Sequence, residues 1–83
     1  NFLIFPNPVD ELLTIQLINL EDETVNLMIS SIAGSLMISD LFLKVDRHLE
    51  KFKLPINNLR AGAYILTVID RQGVKKSELF IKQ

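Results

Sequence analysis

A buried central strand is indicated most clearly by the stretch Leu59-Arg60-Ala61-Gly62-Ala63-Tyr64-Ile65-Leu66-Thr67-Val68. A polar turn with a glycine is followed by a tyrosine and by a run of β-branched and aliphatic residues, which is typical of such strands in small all-β domains. Because side chains alternate along a strand, Tyr64, Leu66 and Val68 share one face, which we predict to be buried. The Tyr64 hydroxyl can then reach a nearby loop, and Gly62 suits a positive φ or a close backbone approach.

Apolar residues alternate with polar ones in other segments as well, which predicts further strands. The predicted strands are Phe2–Phe5, 12–20, 24–32, one that resumes at 35–38, one that contains Phe52, Leu54 and Ile56, Gly62–Ile69 and 74–82. The residues predicted to face inward from the second and third strands are Leu13, Ile15, Leu17, Val25, Leu27 and Ile29. In the last strand, Leu79 and Ile81 share one face and Phe80 lies on the other.

Turn signals separate these strands. Pro6-Asn7-Pro8 lacks two amide donors and has two locked φ angles, so we predict a stiff corner that carries the chain from one sheet to the other, with an ordinary loop as the alternative. Ala33-Gly34 indicates a hairpin with positive φ at Gly34, and Asp70-Arg71-Gln72-Gly73 a turn before the last strand. Residues 41–53 lack a clean period of two, and we predict a loop or bulged strand there, with a helical turn as the alternative.

Size and charge limit the classes of function. The chain has 83 residues, enough for one domain over residues 1–83, and a formal net charge of −1. A net charge so close to zero does not favour a nucleic-acid-binding groove, which needs clustered Lys and Arg. We therefore predict no nucleic-acid partner. There is no cysteine, and no apolar run approaches the roughly 20 residues that span a bilayer. Because the chain begins at Asn1 without a signal peptide, we expect a piece of a longer protein.

The residues that could be catalytic or metal-binding are not arranged in a pattern typical of such sites. A serine nucleophile at Ser30-Ser31 would need an adjacent base held by a third group, and the only histidine, His48, lies in a charged stretch. The acidic turn Glu21-Asp22-Glu23 is more typical of a solvated turn than of a calcium loop, whose ligands come from several spaced positions. We therefore predict no enzyme activity and no cofactor or metal site. Because 48% of the residues are apolar, an exposed apolar partner surface is expected.

Seven short strands without a clear long helix favour an all-β fold, an immunoglobulin-like antiparallel β-sandwich of about seven strands. In such sandwiches a tyrosine at the corner before a central strand bonds a nearby loop, which is the role predicted for Tyr64. So small a core leaves little excess stability, and we expect truncation of Tyr64 or Leu66 to unfold the domain.

Three blocks of the chain resemble one family in order and spacing. The first is an aromatic-Pro-Asn-Pro opening with an acidic residue and a strand, Phe5-Pro6-Asn7-Pro8-Val9-Asp10-Glu11-Leu12-Leu13-Thr14-Ile15. The second is a strand, a glycine turn and a strand, Leu27-Met28-Ile29-Ser30-Ser31-Ile32-Ala33-Gly34-Ser35-Leu36-Met37. The third is the stretch from Leu59 to Val68 with a Lys-rich strand that ends at Lys82-Gln83. Over almost its whole length the chain thus resembles the C-terminal sorting domain of the type IX (Por) secretion system, type A.

The sequence departs from the family at a few places. The family usually has an acidic residue where Ser31 stands, a basic one at Ser35 and often a proline at Arg60. Residues 41–52 match the family poorly. These departures concern polar contacts at the hairpin and leave the expected fold unchanged.

The resemblance implies a non-catalytic secretion signal. Such domains lie at the end of secreted enzymes and adhesins, which enter the periplasm and are directed to the outer-membrane translocon. A sortase-like transpeptidase then removes the domain and can attach the cargo to surface lipopolysaccharide. The implied partners are the type IX translocon, the transpeptidase and an N-terminal cargo domain in the same parent chain, and the implied location is secreted or cell surface, reached through the periplasm and outer membrane. The implied sorting-motif and partner-binding residues are Pro6, Asn7, Pro8, Gly34, Gly62, Tyr64, Lys75, Lys76, Leu79, Ile81, Lys82 and Gln83.

The last strand is the main candidate contact, because an edge strand can extend a partner's sheet through its backbone. We expect deletion of its last few residues to abolish export and to leave the rest stable. Lys75, Lys76 and Lys82 are also typical of an edge strand that avoids unwanted pairing. The apolar outer face suggested by Ile65 and Ile69 is a second candidate surface, and it would also support weak self-association.

The alternative function is a fibronectin-like or carbohydrate-binding accessory module of a secreted enzyme. Sugar platforms need exposed aromatic rings, whereas the chain has no tryptophan and one tyrosine, which is already assigned to the core.

Overall fold

The structure is a computed structural model that describes residues 2–18, 23–45 and 51–83. Its seven strands are β1 (Phe2–Phe5), β2 (Leu12–Leu17), β3 (Glu23–Ser31), β4 (Leu36–Val45), β5 (Lys51–Pro55), β6 (Gly62–Ile69) and β7 (Lys75–Lys82). They form two antiparallel sheets, one ordered β1-β2-β5 and the other β4-β3-β6-β7. The all-β prediction and the seven strands of an immunoglobulin-like sandwich are confirmed.

The stretch from Leu59 to Val68 contains most of β6, a central strand of the second sheet. This strand begins at Gly62 and ends at Ile69, as predicted, and it pairs with β3 on one side and with β7 on the other. Tyr64 and Val68 are almost completely buried and Leu66 is completely buried, which confirms the predicted inward face. Two hydrogen-bonded neighbours and one buried face explain why this segment is so rich in β-branched and aliphatic residues.

The hydrophobic core lies between the two sheets and follows the alternation of the strands. The residues predicted to face inward from β2 and β3 are all buried, which confirms both patterns. The buried apolar residues are Phe2, Val9, Leu13, Ile15, Leu17, Val25, Leu27, Ile29, Ile56, Leu59, Tyr64, Leu66, Val68 and Phe80. Burial of each large aliphatic side chain contributes about 1.5–3 kcal/mol, which is what holds so short a chain together.

The strand directions divide the connections between two ends of the sandwich. The connections 6–11, 32–35 and 56–61 meet at one end together with Gln83, and we call this end the C-terminal pole. β1 begins at the other end, since Phe2 lies opposite Leu17 at the close of β2. The turn 70–73 also lies there. The beginning and the end of the described chain therefore lie at opposite ends of the domain.

The predicted loop or bulged strand over residues 41–53 is described only in part: residues 41–45 belong to β4, β5 begins at Lys51, and residues 46–50 lie outside the described residues. The register shifts of the β3–β4 pairing lie before this region, between Leu36 and Leu41 of β4. The predicted strand 12–20 ends earlier, at Leu17, and Glu23 already belongs to β3. The rest of the acidic turn, Glu21-Asp22, lies outside the described residues, as does His48.

The two predicted turns of the second sheet are confirmed. Gly34 has φ +96° in the β3–β4 hairpin, a conformation that side-chain-bearing residues rarely adopt. In the turn before β7, Asp70 Oδ1 accepts hydrogen bonds from the amides of Gln72 and Val74, each at 2.9 Å. The hairpin of β6 and β7 carries most of the apolar outer face at the C-terminal pole, and the β3–β4 connection adds Ile32.

Candidate docking surface

The outer face of β6 and β7 near the C-terminal pole carries exposed apolar side chains. Leu79 and Ile81 are 49% and 41% exposed, and they lie opposite Ile65 and Ala63 of β6. Ile32 is 66% exposed, and its amide donates to the Ala63 carbonyl at 3.1 Å, so it adjoins the same row. We call these five residues the apolar patch. Large apolar side chains that a small domain leaves in contact with water commonly mark a partner site.

The patch extends toward the opposite pole as a more polar strip. Thr67 of β6 lies opposite Ser77 of β7, and their hydroxyl oxygens are 2.9 Å apart. Ile69 lies opposite Lys75. The apolar face suggested by Ile65 and Ile69 is thus present, but Leu79 and Ile81 supply its most exposed apolar residues on these two strands. Ile65 and Ile69 of β6 lie near Leu79 and Ile81 only because β6 pairs with β7.

The outer edge of β7 is closed over its last residues. The Val9 amide donates to the Ile81 carbonyl at 2.8 Å, and the Gln83 amide donates to the Val9 carbonyl at 2.8 Å. Asn7 adds two side-chain hydrogen bonds, because its Oδ1 accepts from the Ile81 amide at 2.9 Å and its Nδ2 donates to the Leu79 carbonyl at 3.4 Å. The expectation that the last strand can extend a partner's sheet through a free backbone edge is therefore wrong from the Leu79 carbonyl to the Gln83 amide, since these groups already have partners within the domain.

The remaining part of the β7 edge carries charged residues beside a shallow groove. Lys76 and Glu78 share the face of β7 that carries Phe80, and both are exposed. The groove beside them has a volume of about 500 Å³ and is lined by Phe2, Leu3, Ile18, Lys76, Ser77 and Glu78. Charged side chains that point inward from an edge strand are a known obstacle to the addition of another strand.

The Pro6-Asn7-Pro8 corner has a more specific geometry than predicted. Both of its X-Pro bonds are cis. The corner carries the chain from the first sheet to the second, where Val9 forms a parallel bridge with Lys82. The next strand, β2, nevertheless returns to the first sheet, so the corner does not transfer the following strand to the second sheet.

Tyr64 and Phe80 lie on the inward face of β6 and β7, beneath the apolar patch. Their rings stack across β6 and β7, and the Tyr64 hydroxyl donates to the Arg60 carbonyl at 2.7 Å, which confirms the predicted bond to a nearby loop. Tyr64 is only 5% exposed, so it offers no sugar platform.

Lys82 is buried, at 7% exposure, and its Nζ donates to the Gln83 carbonyl at 2.7 Å. The interpretation of Lys82 as an exposed edge lysine is therefore wrong, because it follows Phe80 by two positions and shares its inward face.

Most of the predicted sorting residues converge at one pole. Gly62, Tyr64, Leu79, Ile81, Lys82, Gln83 and the Pro6-Asn7-Pro8 corner lie there, and Gly34 lies in the hairpin at the same end. Lys75 and Lys76 lie at the opposite end of β7. Sequence reasoning missed Val9, which is completely buried, and Ile32. A lone valine directly after a Pro-Asn-Pro turn was the available signal for Val9.

Within residues 2–18, 23–45 and 51–83, no group of three His, Cys, Asp or Glu residues could hold a metal ion. In the same ranges, no helix is long and apolar enough to cross a membrane. The most distinctive features of this part of the chain are the apolar patch and the closed edge beside it.

Comparison with known proteins identifies the family. A family model described as the secretion system C-terminal sorting domain matches residues 3–83. Among curated proteins and among solved structures, none matches the chain significantly. Because the family model covers nearly the whole chain, including the corner, the hairpin and the terminal strand, this chain belongs to the C-terminal sorting domains of the type IX secretion system.

Proposed function

We propose that this domain directs a larger cargo protein, joined to its N-terminal side, through the periplasm to the type IX translocon of the outer membrane. A sortase-like transpeptidase then separates the cargo from the domain and releases it or attaches it to the cell surface. The domain itself acts as a recognised shape and performs no catalysis. The observation that supports the proposal is the family match over residues 3–83.

The positions of the two chain ends suit this role. β1 begins at the pole opposite to the apolar patch, because Phe2 pairs with Leu17 whereas Leu79 and Ile81 lie beside Gln83. A cargo joined before β1 therefore extends away from the patch. The patch stays accessible whatever the size or shape of the cargo, as a signal shared by different cargoes requires.

The apolar patch, rather than the edge of β7, is the surface that we propose the secretion machinery contacts. Addition of a strand to β7 would have to displace Asn7 and Val9 between Leu79 and Gln83. Nearer the start of β7 it would have to pass the charges of Lys76 and Glu78. Docking on the outer face needs neither change, and it buries apolar surface that is now exposed to water.

A fusion experiment tests the proposal. Residues 1–83 are joined to the C-terminal side of a periplasmic reporter, in a host with a type IX system, and reporter activity is measured in the medium and on intact cells. Export that depends both on the domain and on the translocon is expected. A reporter that stays in the periplasm with the domain folded, as judged by protease resistance, would contradict the proposal.

A further inference from the structure

Asn7 bonds to β7 in the way that a peptide group of a neighbouring strand would. Its Oδ1 takes the Ile81 amide proton at 2.9 Å, and its Nδ2 reaches the Leu79 carbonyl at 3.4 Å. Val9 continues the same edge, donating to the Ile81 carbonyl and accepting from the Gln83 amide, both at 2.8 Å. Four hydrogen bonds therefore engage the outward backbone groups from the Leu79 carbonyl to the Gln83 amide, across some seventy residues of sequence.

The chemistry of the side chain explains why this contact needs asparagine. A primary amide presents one acceptor and a donor in a single plane, as a peptide group does. An aspartate could accept from the Ile81 amide, but it has no proton to give to the Leu79 carbonyl and would place a negative charge beside it. The flanking Pro6 and Pro8 have fixed φ angles, which reduces the conformational entropy that the corner loses when Asn7 docks.

The strand that Asn7 holds is the one that carries the exposed part of the patch. Among the described strands, β7 has only β6 as a full neighbour, so its last residues depend on one ladder and on the Asn7–Val9 contacts. Leu79 and Ile81 can present a defined apolar surface only while that backbone stays in register. A strand end that frays would have to be ordered on binding, and the entropy lost would weaken docking.

We propose that Asn7 is a positioning residue for sorting, which clamps the end of β7 so that Leu79 and Ile81 are held ready for the partner. This inference rests on the proposed function, because it names what keeps the proposed docking surface in shape. Asn7 acts through β7 and need not touch the partner itself.

The first arm of the test measures amide hydrogen exchange by NMR in the 83-residue chain. Asn7→Ala and Asn7→Asp are compared with Asn58→Ala, a control at an exposed asparagine in the 56–61 connection. We expect the Ile81 amide to exchange about tenfold faster in Asn7→Ala, since one lost hydrogen bond corresponds to about that factor. The Leu66 amide serves as the internal reference for global opening. Unchanged protection of Ile81 relative to Leu66 would overturn the clamp.

The second arm measures reporter export for the same variants together with Ile15→Val. Ile15 is completely buried and belongs to β2 of the first sheet, so this variant lowers stability without changing a residue of β7 or of the corner that bonds to it. We expect export to fall severalfold in Asn7→Ala and Asn7→Asp and to stay near the wild-type level in Asn58→Ala and Ile15→Val. Equal losses in Asn7→Ala and Ile15→Val at matched melting temperature would show that only stability matters, and normal export of Asn7→Ala would overturn the positioning role.

The two arms separate this inference from the proposed function. If the wild-type fusion is not exported, the proposed function fails, and the positioning role in sorting fails with it. The exchange arm then still decides whether Asn7 holds β7. If the wild-type fusion is exported and Asn7→Ala is exported equally well, the proposed function stands and this inference alone is wrong.

Discussion

The ring of Tyr64 stacks on that of Phe80, with 5.6 Å between the ring centroids and 22° between the planes. The two residues are register partners on β6 and β7, so the stack joins the central strand to the terminal one. Above it lies the apolar patch, and beside it lies the edge that Asn7 and Val9 close. The core of this sandwich and its proposed docking surface are therefore two sides of the same strand pair.

Substitutions at Tyr64 should separate its ring from its hydroxyl. Tyr64→Phe removes the hydrogen bond to the Arg60 carbonyl and keeps the stack, so we expect a loss of about 1 kcal/mol and a melting temperature lower by about 4–8 °C. Tyr64→Ala removes the ring as well and should cost about 3–5 kcal/mol. Because a domain of this size is stable by only about 4–12 kcal/mol, this loss removes about a quarter or more of the total, and thermal melts should show a much lower melting temperature for Tyr64→Ala than for Tyr64→Phe. Equal melting temperatures for the two variants would contradict this assignment.

Removal of the last four residues, 80–83, should unfold the domain and not only abolish export. The deletion takes away Phe80, which is completely buried, together with Lys82 and the Gln83 amide that bonds to Val9. The loss of a buried phenylalanine alone costs about 3–5 kcal/mol. We expect circular dichroism of the truncated chain to show no cooperative melt. A truncated chain that still melts cooperatively would instead restore the simpler expectation, that the end of β7 is dispensable for folding.

Substitutions at exposed positions of the apolar patch test docking without unfolding the domain. Leu79→Thr with Ile81→Thr keeps strand propensity and changes only half-exposed side chains, so stability should change by about 1 kcal/mol or less per site. If each side chain contributes about 1 kcal/mol to docking, the pair should weaken it roughly 30-fold, and reporter export should fall at unchanged fold.

A matched control for the patch lies on the other sheet. Leu3 and Phe5 are 52% and 39% exposed on the outer face of β1, and Leu3→Thr with Phe5→Thr removes a similar apolar area. Export of this control should stay near wild type. The outer-face assignment is wrong if the control loses export as strongly as the variant of Leu79 and Ile81.

Gly34 should prove to be a structural residue rather than a contact residue. Its φ of +96° disfavours any side chain, although a Cβ there would meet no atom within 4 Å. Gly34→Ala is therefore expected to cost about 1–2 kcal/mol through backbone strain alone. Urea unfolding should show a lower midpoint at an unchanged slope, and export measured well below the melting temperature should be retained. Strong loss of export at full folding would make the hairpin part of the docking surface.

The strands and their buried faces were open to prediction from the sequence alone. Alternation is a local property, so Leu13 and Ile15, Val25 and Leu27, or Leu66 and Val68 identify their inward faces before any partner strand is known. Gly34 and the Asp70 turn are local in the same sense. The family resemblance could likewise be found from the sequence, because it depends on the order and spacing of residues along the chain.

Only the tertiary structure decided which strands lie side by side and what covers their edges. The patch needs Ile65 and Leu79 in register, and the clamp needs Asn7 beside Ile81, a residue 74 positions away. Alternation places Lys82 on the face of Phe80, but the tertiary structure covers that face at Lys82 and leaves it exposed at Lys76 and Glu78. No local pattern contains these facts, since strand order and pairing are set by which assembly buries the most apolar surface and satisfies the most backbone groups.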